Sequence, residues 1–122
     1  MADINATLNK ILQIDGAMAC ALVDYETGMT LGTASNTNFP IELAAAANTD
    51  VVRAKQRAMQ SLGLRDTIDD ILITLSTQYH MIRPLSKHRS LFLYVALQRP
   101  AANLALSRLK LTEAEGGLVL PL

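Results

Sequence analysis

A chain of 122 residues is long enough to bury the core of one domain and too short for two. Half of its residues are apolar and only 18% charged, a composition that excludes a disordered segment and favours well-covered interior surfaces. Eleven basic residues balance eleven acidic ones, so no long-range positive field draws in a nucleic acid or an anionic membrane, and neither is an expected partner.

Cys20 is the single cysteine, which rules out an intrachain disulfide, and it lies in an apolar run where a thiol behaves as a small core side chain. The N-terminus has no basic stretch followed by an apolar one. The longest apolar runs fall far short of the roughly 20 residues that span a bilayer. The expectation is a cytoplasmic protein without membrane insertion.

In chain order, Ile4, Leu8, Ile11 and Leu12 recur at helical spacing behind the capping residue Asp3, predicting an amphipathic helix over 3–14 that ends near Gly16. From Ala17 to Asp24 both alternating sets, Ala17, Ala19, Ala21, Val23 and Met18, Cys20, Leu22, are apolar, the pattern of a central strand covered on both faces. Asp24 to Gly28 is turn chemistry, and Met29 to Thr33 returns as the second arm of a hairpin. Pro40, Glu42 and Gly63 bracket a long helix over about 40–62. Three strand-like runs follow, Ile68–Ser76, Tyr79–Leu85 and Leu91–Gln98, joined by loops short enough for a meander, with Pro84 limiting the middle run to Arg83. Pro100 opens a last helix through Leu104 and Leu109 that ends near Thr112, before Gly116-Gly117 and the apolar tail Leu118 to Leu122, for which packing on its own domain or fraying is expected ahead of docking on a partner. The economical packing is one α+β domain over residues 1–122, a five-stranded sheet with helices on its faces.

The long helix carries more apolar surface than one sheet contact needs. On a helical wheel Glu42, Asp50, Arg53 and Arg57 occupy one side and leave an apolar arc of about 200°. Ile41, Ala45, Val52 and Met59 form a stripe of larger side chains for the sheet. Beside it Ala44, Ala47, Val51, Ala54 and Ala58 form a stripe of small ones that lets another helix come close. Two readings stand: an isologous contact with the same helix of a second copy, or alanine serving helix propensity alone. Ile71, Ile73 and Leu75 beside Asp69-Asp70 add a second candidate, a sheet edge free to pair with another chain, although flanking charges also protect edges from aggregation.

Nothing in the sequence is a catalytic signature. The six glycines never fall in a phosphate-loop or dinucleotide-binding spacing. Cys20, His80 and His88 lack the close ligand spacing of a zinc site, so no metal and no cofactor is expected. A Cys20–His80 nucleophile pair fails because a thiol on a strand buried on both faces lacks the electropositive setting that makes a thiolate. His80 shares a strand face with Ile82, opposite Tyr79, Met81 and Arg83, and reads as a half-buried histidine with a hydrogen-bond partner. Arg83, Lys87, His88 and Arg89 gather at one end of the meander, either as a solvated rim or as a surface for an acidic partner. Asn103 is placed to bond near a helix N-terminus.

With these elements placed, the chain resembles the Roadblock/dynein light chain family, including its bacterial MglB-type regulators. The resemblance rests on Gly16-Ala17 through Ala21-Leu22-Val23-Asp24 to Glu26-Thr27-Gly28, on Asp70 to Leu75, on Tyr79 to Leu85, and on Phe92 to Leu97 followed by Ala102 to Leu106. It implies a five-stranded antiparallel sheet with the long helix on one face and the terminal helices on the other. It further implies dimers, homo- or heterotypic, formed through that helix and the adjacent strand edge, and a non-catalytic role in binding a Ras-like small GTPase and modulating its nucleotide cycle or location. Arg53, Arg83, Arg89 and Arg99 are all candidates for an arginine finger and no local feature selects one. A small-molecule-sensing α+β domain is the competing reading, which requires a polar-lined pocket of a few hundred cubic ångströms.

Overall fold

The computed structural model describes residues 2–121. Its elements are α1 (Ile4–Ile11), β1 (Ala17–Asp24), β2 (Thr30–Ser35), α2 (Ile41–Ser61), β3 (Ile71–Thr74), β4 (Gln78–Pro84), β5 (Leu91–Gln98), a 3-10 turn (Arg99–Ala101) and α3 (Leu104–Gly117). The strands form one antiparallel sheet in the order β2-β1-β5-β4-β3. The α+β architecture expected from the sequence is therefore present, with β5 rather than β1 at the centre.

α1 and α3 share one face of the sheet, where Leu8, Ile11 and Leu111 pack on Cys20, Leu22, Leu93 and Val95. An eight-residue helix is not stable alone in water. Burying Leu8 and Ile11 contributes about 1.5–3 kcal/mol each and holds α1 in place. Asp3 caps it by accepting the Ala6 N–H at 2.8 Å. The opposite face carries α2, whose Ile41, Ala45 and Val52 pack on Ala19, Ala21, Val23, Phe92, Tyr94 and Ala96. Alanines on both the helix and the strands beneath it let α2 sit low on the sheet.

The period-2 reading of β1 holds except at its start. Between Ala17 and Ala19 the register against β5 shifts by one residue, so Met18 is the extra residue of a bulge. Met18 thus joins Ala19, Ala21 and Val23 beneath α2, while Ala17 joins Cys20 and Leu22 on the other face.

Several boundaries differ from expectation, among them that of β2, which runs over Thr30–Ser35 and not Met29–Thr33. β3 is four residues long, because Asp70 leaves the sheet to take a bidentate bond from Arg108 of α3, at 2.7 and 3.1 Å. β4 continues through Pro84: the Leu85 N–H bonds Leu91 of β5, so the Pro84 nitrogen faces away from β5, on the side where β3 has already ended at the Ile71–Ile82 pair. Pro100 opens only the 3-10 turn, after which Ala102 is extended at φ −92°, ψ 142°. α3 starts behind Asn103, whose side chain accepts the Leu106 N–H at 3.0 Å, the structural role expected of that residue. It then runs past Thr112 to Gly117. In the tail, Leu118 and Leu120 pack on the α1/α3 core, Val119 is exposed, and Leu122 lies outside the described residues.

Candidate functional site

α2 does not cover its face of the sheet evenly. It lies over β1 and β2. One flank is anchored to the β1–β2 turn, where Arg53 donates to the Glu26 carbonyl and Thr49 approaches Gly28. The opposite flank, marked by Asn48, looks toward Tyr94 of β5. Beyond Tyr94 the α2 face of β4 and β3 carries His80, Ile71 and Ile73, all only partly buried. A groove results, with α2 as one wall and the outer sheet as floor.

The five small residues singled out on α2 line the rim of that groove. Ala44 and Val51 are partly buried against the core, whereas Ala47, Ala54 and Ala58 are exposed. Ile71 and Ile73 share the α2 face of β3, and Leu75, just past the strand, is 43% exposed. β3 is an edge strand, so its outer backbone groups have no neighbouring strand among the described residues. The helix stripe and the strand edge, far apart in sequence, thus border one surface.

A polar chain crosses the floor. Asn48 lies beside Tyr94 and donates to the Ala44 carbonyl at 2.8 Å; the Tyr94 hydroxyl lies 3.2 Å from His80 Nδ1, and His80 Nε2 lies 2.8 Å from Gln78 Oε1. Phe39 and Tyr94 meet the imidazole edge-on, with centroids 5.9 and 5.5 Å away. Burial lowers the His80 pKa and raises that of Tyr94 to about 12, the Asn48 amide opposing the latter, so His80 is held toward its neutral form. His80 is half-buried with side-chain partners, as its strand position suggested. Asn48, Tyr94 and Phe39 were not foreseen as its company. Asn48 left one signal, a poor helix former in the middle of an alanine-rich helix.

The basic group at the end of the meander is divided by the structure. Arg83 Nε bonds Glu115 of α3, which also accepts the Ser86 N–H and hydroxyl at 2.8 and 2.9 Å. Burial pushes the Glu115 carboxyl up, and the bonds from Ser86 and Arg83 outweigh it, leaving a net lowered pKa. Because the folded value is depressed, the carboxylate stabilises the fold above its unfolded pKa of about 4.3, and that stability is lost as the pH falls through the folded value. Glu115→Gln is expected to cost about 1–3 kcal/mol at neutral pH and to flatten the acid limb of the stability curve. Urea denaturation between about pH 7 and pH 3 measures both effects. Lys87 and Arg89 remain exposed and His88 partly buried, with Arg89 donating to the Leu85 carbonyl.

Cys20 is fully buried, donates to the Leu8 carbonyl, and burial raises its pKa to about 12, which suits a core side chain and not a nucleophile. Among the described residues no group of three or more His, Cys, Asp and Glu could hold a metal ion, and no helix is long and apolar enough to cross a membrane. A groove of about 530 Å³ lies at the rim between Asn5, Leu31 and Val119 and not within the sheet. Asp3, one of its few polar groups, is already occupied as the α1 cap. A sensor's enclosed, polar-lined pocket is not found among the described residues.

Fold and surface together define a class: a single-sheet α+β domain whose open features are a helix flank and a sheet edge suited to protein association. No protein-family model matches the sequence, and no curated protein matches it. Solved structures do. MglB of Myxococcus xanthus superposes with a TM-score of 0.79 at 18% identity, over 93% of this chain and 89% of that one. A Roadblock/LC7 domain from Streptomyces avermitilis gives 0.79 at 12% identity over 94% and 93%, and MglC of Myxococcus xanthus gives 0.61 at 18% over 93% of each. The chain has the Roadblock/LC7 fold.

Proposed function

We propose that this chain is a non-catalytic Roadblock/LC7 regulator that acts as a homodimer and engages a Ras-like small GTPase, modulating its nucleotide cycle or its location. The observation that carries the dimer is the coincidence of the small-residue flank of α2 with the half-exposed face of β3 and β4. In a two-fold arrangement each helix enters the other's groove and the β3 edges come together, which covers an exposed edge and an unpartnered apolar flank in one contact. The sequence resemblance and the likeness to MglB support the GTPase as partner. The exposed loop with Lys87 and Arg89 offers that partner a basic surface once the groove is occupied by the second copy.

The test is capture on the immobilised protein from its native cells with GTP or GDP added, followed by GTP turnover of the captured protein. The expected outcome is nucleotide-dependent retention of a phosphate-loop GTPase whose turnover or localisation depends on this chain. Retention of no GTPase, or of one indifferent to this chain in both respects, rejects the reading.

A further inference from the structure

The polar chain on the groove floor has a fixed direction. Gln78 presents its carbonyl oxygen to His80 Nε2, so that nitrogen carries the hydrogen and Nδ1 is left as an acceptor for the Tyr94 hydroxyl. Tyr94 can donate to Nδ1 at 3.2 Å. The neutral ring therefore has both nitrogens satisfied. A proton on Nδ1 reverses the Tyr94 bond, and the phenolic hydrogen loses its imidazole acceptor in a setting built largely from Phe39, Ile82 and the α2 core, with the Asn48 amide as the one polar side chain beside it.

Among the described residues no charged side chain bonds the imidazole. β5 presents Tyr94, α2 presents Asn48 through Tyr94, the segment before α2 presents Phe39, β3 presents Ile73 opposite the histidine, and β4 itself supplies Gln78. Tyr94 is the one titratable group among them and is neutral. In the free chain, water reaches the half-buried ring and eases its protonation. A helix laid over β3 and β4 removes that water. The flank it brings, Ala44, Ala47, Val51, Ala54 and Ala58, contains no carboxylate; on the wheel Lys55 borders it with the same sign of charge, and Asp50 lies on its solvent side.

We propose that the groove accepts the alanine flank of a second copy's α2 only while His80 is neutral, so that association of this chain is linked to loss of a proton from His80. The proposal rests on the dimer reading above, and its test separates the two. By linkage, a histidine whose pKa is lower in the dimer than in the monomer leaves association intact above the monomer value and weakens it as the pH falls through that value, levelling off below the dimer value. A drop of about one pKa unit per site raises the dissociation constant about tenfold per site, or about a hundredfold for a dimer with two equivalent sites.

Sedimentation equilibrium over a dilution series at about pH 8 and at about pH 5, with circular dichroism to show that the fold persists, reads this directly. The expected result is a weakening in the wild type that grows toward the hundredfold limit as the pH approaches the dimer value, and its loss in His80→Gln, which keeps a polar side chain but cannot titrate in this range. A second measurement does not depend on the variant folding: the imidazole proton resonances of His80, followed by NMR above and below the dissociation constant, should show a lower pKa in the associated state, with His88 in the same spectrum as reference. A dimer of equal affinity at both pH values, or a His80 pKa indifferent to association, overturns the proton linkage and leaves the interface standing. A monomer at every pH overturns the interface and the linkage together.

Discussion

Replacing Ala54 with glutamate is expected to raise the dissociation constant of the dimer about a thousandfold while leaving the isolated fold intact. Ala54 is exposed at the rim of the groove, one turn after Asp50 and one before Arg57. In the monomer the new side chain stands in water, where the change of helix propensity costs only a few tenths of a kcal/mol. In a two-fold contact the same position occurs twice, and each carboxylate is forced into an apolar contact without a partner. A desolvation cost of about 2 kcal/mol per copy, about 4 for the pair, corresponds to the thousandfold loss. Ala46→Glu is the matched control, because Ala46 is exposed on the far side of α2 from the groove and the same charge there should leave affinity unchanged. Light scattering with a denaturation curve for each variant decides the matter. A folded Ala54→Glu dimer of undiminished affinity places the interface elsewhere.

Much of the fold was readable because the relevant signals are local. Asp3 as a cap, the doubly apolar run of β1, and the Pro40 and Gly63 brackets of α2 each act within one or two turns of chain. What was lost depends on partners distant in sequence. The alternation of β1 predicts the wrong face for Ala17 and Met18, since a bulge is a property of the pairing with β5 and not of β1 alone. β3 appears longer in sequence than in space because nothing in Asp69-Asp70 announces that Arg108, 38 residues on, will claim Asp70. At α3 two start signals compete: Pro100 favours a first turn, but Asn103 supplies an acceptor for an otherwise orphaned helix N–H, and the helix begins there.

The candidate surface was half readable for the same reason. A wheel shows that α2 has too broad an apolar arc, but which half of the sheet it leaves open follows from Arg53 tying the other flank to the β1–β2 turn. Arg83, grouped by sequence with Lys87, His88 and Arg89, is instead committed to Glu115. The chain Tyr94–His80–Gln78 joins β5 to β4 with Asn48 of α2 beside it, and no spacing within one element reveals it.

Gly16→Ala is expected to destabilise the fold by about 2–4 kcal/mol, lowering the melting temperature by about 10 °C or more. Two separate costs add at this position. Gly16 has φ +86°, and an L side chain in the left-handed region costs about 1–2 kcal/mol. A methyl group there would also stand 2.9 Å from the Gln98 carbonyl oxygen and 3.2 Å from the Ala102 nitrogen, both backbone atoms that cannot swing aside. Relief would have to shift the end of the central strand, where the Gln98 N–H bonds the Gly16 carbonyl at 2.8 Å and the 3-10 turn leads into α3. Gly63 separates the two terms: its φ is +69° but nothing lies within 4 Å of its missing Cβ, so Gly63→Ala should cost only the backbone part, about 1–2 kcal/mol. Gly116, helical and equally open, should gain about 0.5–1 kcal/mol on the same change. The order Gly116, Gly63, Gly16 in thermal denaturation at one protein concentration is the measured outcome. Equal losses at Gly63 and Gly16 would show that the junction of β1 with the end of β5 is soft, and that α3 is not held to the sheet through it.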